Sequence, residues 1–213
     1  MISLTFWALA TGVSYVALMA LMLGFILPAS KPNPIAEQYF ELIAASRKLW
    51  LYRLTIVIDM LTWAALCGFL IKFGMIVKNQ QIIFLSAGLV IGFFGAALRL
   101  SATPAIAKDY HDAKEAETRA SIIRLYAFVL RIINVTFSVG GIISGLSFIL
   151  ITTTLLYGTI INNWIIILFG LAGIIFFIKG LLELVLDKDL GSLQLFGNLL
   201  LLIPLFYIVI HFL

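Results

Sequence analysis

The stretch WIIILFGLAGIIFFIKGLLELVL, residues 164–186, decides the fold. As an α-helix it rises about 34 Å at 1.5 Å per residue. That is enough to cross a hydrocarbon core of about 30 Å. Only Lys179 and Glu183 interrupt it, four residues apart. Working outward, five more runs qualify by the same measure. Residues 4–27 are stopped by Pro28, 50–73 form the second span, and 81–98 are ended by Arg99. The long apolar run within 125–156 exceeds one perpendicular crossing, so its membrane core is expected at 131–156 with an earlier helical stretch projecting. Residues 193–213 complete the set, with a kink expected at Pro204 that neighbouring helices must accommodate. None of the six alternates as a lipid-facing barrel strand would.

Composition agrees. Hydrophobic residues make up 63% of the 213-residue chain and charged residues 11%, against about 25% charged in a soluble domain. Such a chain lacks the polar groups to cover a water-exposed surface. The net charge of +4 is spread over several loops without a basic block, so nucleic acid is not expected as a partner. The single cysteine, Cys67, permits no intrachain disulfide and reads as a small packing residue. The first apolar run is longer than a secretory h-region of about 7–15 residues, so it is expected to be a retained span. Cleavage around Leu27–Ser30 is the alternative.

Two connections are long enough to carry structure. Residues 35–49 place Ile35, Tyr39, Leu42 and Ile43 at helical spacing, which predicts an amphipathic helix at the membrane interface. Residues 101–121 hold an alanine-rich piece, 108–120, read as a helix running into the fourth span, with Glu115 and Arg119 able to pair one turn apart. Connections after the first, third and fifth spans carry nine Lys and Arg residues, and the opposite side carries Lys72 and Lys78. By the positive-inside rule the first set is cytoplasmic and both termini lie outside.

A charge near the bilayer centre costs at least about 2.5 kcal/mol, so charges within spans are the candidate site. These are Arg53, Asp59, Arg99, Arg124, Arg131, Lys179 and Glu183. All fall toward the side of the two long connections. Lys179 and Glu183 can bridge on one face, and Arg124 and Arg131 share a face. Asp59 needs a partner from another helix, and Arg131 and Lys179 are matched to it in depth. All these groups are expected to face away from lipid tails. One role is interhelical glue with snorkelling cations. Another is a positively charged cavity for an anionic substrate or lipid headgroup, and a third is an ion relay through Asp59. Close helix packing is expected at Gly88 and Gly92 and at Gly141 and Gly145, with Asn134 buried and seeking a partner across the helices. A helix broken at Gly140–Gly141 is the sharper alternative.

No catalytic residue, metal site or cofactor is indicated. His111 and His211 are the only histidines. His111, Asp112 and Glu115 have ligand-like spacing, but such clusters are usually solvated surface. HExxH, GxSxG and Walker A patterns are missing.

The segment Leu51-Tyr52-Arg53-Leu54-Thr55-Ile56-Val57-Ile58-Asp59 resembles the bacterial membrane-protein family known as domain of unknown function 4386 (DUF4386). That family shows a similar Leu-aromatic-Arg-Leu followed by Asp in the same helix. The order of elements is also similar: a span, a longer connection, then the Arg/Asp-bearing span. The family's basic turn before the last span is replaced here by Asp187-Lys188-Asp189-Leu190-Gly191. The resemblance implies a polytopic protein of the bacterial inner (plasma) membrane without assigned activity, and it singles out Arg53 and Asp59.

The chain is therefore expected to be all-α, a single transmembrane domain over 1–213 forming a six-helix bundle with one interfacial amphipathic helix. Its expected partners are membrane lipids, with a homo-oligomer or the subunits of a membrane complex. Binding of a lipid or anionic ligand, or service as a subunit, leads. A secondary transporter or channel acting as an oligomer and an intramembrane enzyme are the alternatives.

Overall fold

The computed structural model describes residues 3–21, 49–156, 162–186 and 190–212. Nearly all of them are helical and none is in a strand. The helices are α1 (Leu4–Leu21), α2 (Leu49–Ile76), α3 (Gln80–Ala87), α4 (Val90–Asp112), α5 (Ala116–Leu156), α6 (Asn163–Leu186) and α7 (Gly191–Phe212). Six helical stretches are long and apolar enough to cross a membrane, α3 and α4 together counting as one. The chain is an all-α, multi-pass helical bundle. The expected interfacial helix at 35–49 lies, except for its last residue, outside the described residues, as does the end of the first span.

Neighbours in the bundle form a closed ring: α1 beside α2, α2 beside α4, then α5, α6, α7, and α7 back against α1. The ring closes where Gly12 of α1 meets the Phe206 ring of α7. Polar residues mark one end. Lys78, Gln80, Gln81, Thr153, Asn162 and Asn163 are exposed there, beside half-exposed Trp164. We call this the far end. Asn79 fastens it: its side-chain oxygen accepts from the Gln81 and Ile82 N–H groups at 3.0 and 3.3 Å, and its amide donates to Thr154 Oγ1 at 3.0 Å. One residue thereby caps α3 and ties it to the end of α5.

The far half of the interior is packed with aromatic and aliphatic side chains. Phe148 stacks on Phe169 at 5.8 Å, Phe69 on Phe169 at 6.4 Å, and Phe176 lies against Phe148 at 6.2 Å. All four rings are buried, among leucines and isoleucines from every side of the ring. Among the described helices, the seam between α5 and α6 is the most extensive. A Cβ on Gly145 would come within 2.5 Å of Phe177 N and 2.6 Å of Gly173 O. One on Gly180 would come within 2.5 Å of Ser138 O. Backbone here lies on backbone, as small residues allow between membrane helices.

The third and fourth spans depart from expectation. The third does not end at Arg99. It turns briefly at Gly88–Leu89, where N–H groups of residues 88, 89, 91 and 92 bond three residues back, and then continues as α4 to Asp112, through Pro104. A charge ends the hydrocarbon-compatible run but not the helix. Beyond Arg99, α4 is held by a second small core in which Ile106, Ala107 and Tyr110 pack on Tyr126 of α5. The turn between the two falls at Ala113–Glu115, inside the alanine-rich piece expected to be one helix. Ala113 is extended, at φ −69° and ψ 126°. The Arg119 side chain goes to the Ala113 carbonyl, at 2.9 Å, and over the Tyr110 ring, rather than to Glu115. His111 and Glu115 therefore do not share a helix. α5 extends ahead of residue 131 as expected and runs unbroken through Gly140–Gly141. α4 and α5 together make a helical hairpin reaching about 20 Å beyond Arg99.

Candidate functional site

Depth along each helix, counted from the far end at about 1.5 Å per residue, places the charges. Lys179 stands about 22 Å from Trp164, and Asp59 about 26 Å from Ile76. Arg99 stands about 27 Å from Gln81, Glu183 about 28 Å from Trp164, and Arg131 about 33 Å from Thr153. With a core of about 30 Å, every one lies in the near half or at its edge. Arg53 and Arg124 lie further out.

Within that half the two carboxylates have separate settings. Glu183 Oε2 accepts from Lys179 Nζ at 2.7 Å and from Ser138 Oγ of α5 at 3.1 Å. Its Oε1 accepts from the Leu190 N–H, just ahead of α7, at 2.9 Å. Both ends of the ion pair are buried, at 8% and 9% side-chain exposure. One carboxylate thus joins α5, α6 and the start of α7. The pair was legible as i,i+4 spacing; its clients Ser138 and Leu190 were not.

Asp59 is half-buried on α2. It lies in the field of the Arg99 guanidinium, and the Trp63 indole one turn on bonds to it. The Tyr15 hydroxyl of α1 faces the same carboxylate. Trp63 is held in a slot made by two glycines: a Cβ on Gly92 would fall 2.6 Å from its ring, and one on Gly140 2.8 Å. Phe137 stacks on it at 6.2 Å. Arg99 itself lies over the Tyr52 ring, 6.0 Å from its centroid, with Tyr126 within reach of its charge. The partners expected for Asp59 are thus corrected. Lys179 is engaged by Glu183, and Arg131 stands on the outside of α5. Arg99 is near enough for its charge to act on Asp59, because α4 carries on past it, packed beside α2.

Arg53, Arg124 and Arg131 are exposed; for Arg131 this corrects the expectation that it faces away from the lipid, whereas Arg53 and Arg124 lie at the boundary, where snorkelling cations are expected. Asn134, expected to be buried, is exposed too. Its backbone carbonyl accepts from Ser138 Oγ at 2.9 Å, and its amide lies on the outer wall. Of the expected packing glycines, Gly141 and Gly145 lie against α6, Gly88 against Ile143 and Gly92 against Trp63. Sequence reading missed Tyr15, Tyr52, Trp63 and Tyr126. It also missed buried Asn198, which accepts from Gln194 at 3.0 Å. Cys67 is half-buried and donates to the Ser86 carbonyl at 3.2 Å. Among the described residues no three His, Cys, Asp or Glu side chains converge as metal ligands.

Chemically, the inner charges are arranged to hold helices together. The five cations and two carboxylates of the cluster leave a surplus of three positive charges (five minus two), and three arginines lie on the outer wall. No protein-family model, curated protein or solved structure matches the chain.

Proposed function

We propose that this is an integral membrane protein whose charged end binds anionic groups, foremost the headgroups of acidic lipids in the adjoining leaflet. The observation that carries the reading is the division of charge. Asp59 and Glu183 face Arg99 and Lys179 inside the bundle, while Arg53, Arg124 and Arg131 are exposed near headgroup depth. Arginine suits phosphate because its planar fork donates two parallel hydrogen bonds. The excess of Lys and Arg on this side supports a cytoplasmic charged end, with both termini outside. The likeness of residues 51–59 to DUF4386 supports the bacterial plasma membrane. A role as a subunit of a larger membrane assembly is compatible with the same surface.

Transport or conduction is the weaker reading, because Phe69, Phe148, Phe169 and Phe176 fill the far half of the interior. An enzyme needs polar groups converging on one accessible point, whereas Glu183 is committed to Lys179, Ser138 and Leu190.

The test is the lipid that accompanies the protein. Purified in mild detergent from a bilayer of mixed charge, the protein should be enriched in anionic phospholipid over bulk composition. The combined Arg53→Gln, Arg124→Gln and Arg131→Gln variant should lose that enrichment. A lipid profile equal to bulk in the parent would overturn the proposal.

A further inference from the structure

We infer that Asp59 is a proton-exchange site, served by water that enters the ring of helices from the charged end and is stopped by the phenylalanine core. α2 turns one face inward and one toward lipid. Thr55, Ile56, Thr62 and Leu66 are buried, while Leu54, Val57 and Leu61 are exposed. Asp59 belongs to the inward face, with those four buried residues as its neighbours at i−4, i−3, i+3 and i+7. Val57 and Leu61, two residues away on either side, stand about 160° round the helix. Asp59 is nevertheless only half-buried. Trp63, on the flank toward α4, is held against Gly92 and Gly140 and closes that side. The surface that Asp59 leaves open therefore faces a space inside the ring, not hydrocarbon.

A second group is turned to the same carboxylate. Tyr15 of α1 is 5% exposed, and its hydroxyl faces Asp59. Among the described residues none hydrogen-bonds to that hydroxyl. A buried hydroxyl calls for a partner, and water between it and the carboxylate supplies one. Asp59 stands about 26 Å from Ile76, close to the charged-end edge of a core of about 30 Å. Helical side chains lean toward the helix N-terminus, which for α2 is that end. In the other direction Leu66, Phe69 and Phe73 follow, all buried. Access is therefore from one side.

The groups around the carboxylate decide what it takes up. Trp63 offers it an N–H and Arg99 a positive charge, and both oppose a metal cation. From the elements packed on α2, the ionisable groups facing Asp59 are Tyr15 of α1 and Arg99 of α4, while α3 has none. Lys179 of α6 is engaged by Glu183. On α2 itself, Arg53 lies on another face and Lys72 about 20 Å toward the far end. Glu183, by contrast, has donors on both oxygens. Asp59 takes a proton from charged-end water and returns it by the same route. Protonation removes the negative charge facing Arg99 and loosens α2 from α4.

The test uses the full chain in lipid nanodiscs, followed by infrared difference spectroscopy as the medium is taken from alkaline to acid. The carbonyl stretch of a protonated carboxyl should appear, be lost in Asp59→Asn and persist in Glu183→Gln. No such band in the parent, or a band that persists in Asp59→Asn, would overturn the proposal. Access is read separately in sealed vesicles, with single-cysteine variants built on Cys67→Ala and a charged thiol reagent that does not cross the membrane. Asp59→Cys should be labelled from the side that labels Arg124→Cys and not from the side that labels Gln80→Cys. Leu66→Cys, about two turns deeper on the same face, should be labelled from neither. Labelling of Asp59→Cys from the far side, or from neither, would refute the water path. Labelling of Leu66→Cys would refute its closure by the core. Neither readout involves an acidic lipid, so failure here leaves the lipid reading standing.

Discussion

Lys179→Met tests the central joint of the bundle. The variant keeps the aliphatic stem but removes the ammonium that lies 2.7 Å from Glu183 Oε2. Removing one partner of a buried ion pair costs about 3–5 kcal/mol, because the other charge is left uncompensated. Glu183 is not fully orphaned here. Ser138 Oγ and the Leu190 N–H still donate to it, at 3.1 and 2.9 Å. The expected loss is therefore below the full range, about 2–3 kcal/mol. Glu183→Gln should cost about 3 kcal/mol, since it strands the Lys179 ammonium. The double variant should cost little more than either alone, giving a coupling of about 2 kcal/mol. Reversible unfolding by sodium dodecyl sulfate in mixed micelles, followed by circular dichroism, measures all three. Strictly additive losses, or singles that unfold with the parent, would show that the pair does not hold α5, α6 and α7 together.

The remaining predictions concern other joints. Asp59→Leu should lower stability by about 1–2 kcal/mol, less than a fully buried pair because half-buried Arg99 can snorkel. Adding Arg99→Met should recover part of the loss, and a double variant no better than the single would exclude the coupling. Gly145→Ala should cost about 1–3 kcal/mol or more, because its Cβ meets the backbone of α6; an unchanged unfolding midpoint would refute the close seam. Asn79→Ala should cost about 1–2 kcal/mol, with faster hydrogen exchange confined to the first turn of α3.

The membrane spans were legible because hydrocarbon imposes a length and a composition on whatever crosses it. Hydropathy does not report the rotation of each helix. In a soluble helix the apolar stripe marks the inward face; in lipid both faces are apolar and the stripe disappears. That is why Asn134 and Arg131 were expected inside and stand outside. Asp59 was given the wrong partner for a related reason: Arg99 was taken as a terminus, although α4 continues on the strength of a small core that needs Tyr126 from a distant stretch. The Lys179–Glu183 pair was legible because both members lie on one helix. Gly88 was read as a contact surface and lies at a turn. Trp63 carried no signal, since its slot depends on Gly92 and Gly140 from two other helices.

The glycine seam has a mechanical consequence. With α5 and α6 in backbone-to-backbone contact, neither can slide or rotate past the other without first separating, so the two behave as one stiff beam. Any larger motion within the bundle must be taken up by α1, α2, α4 and α7 moving against it. Pairs of spectroscopic labels should therefore keep a constant separation within the beam and vary only between it and the other helices.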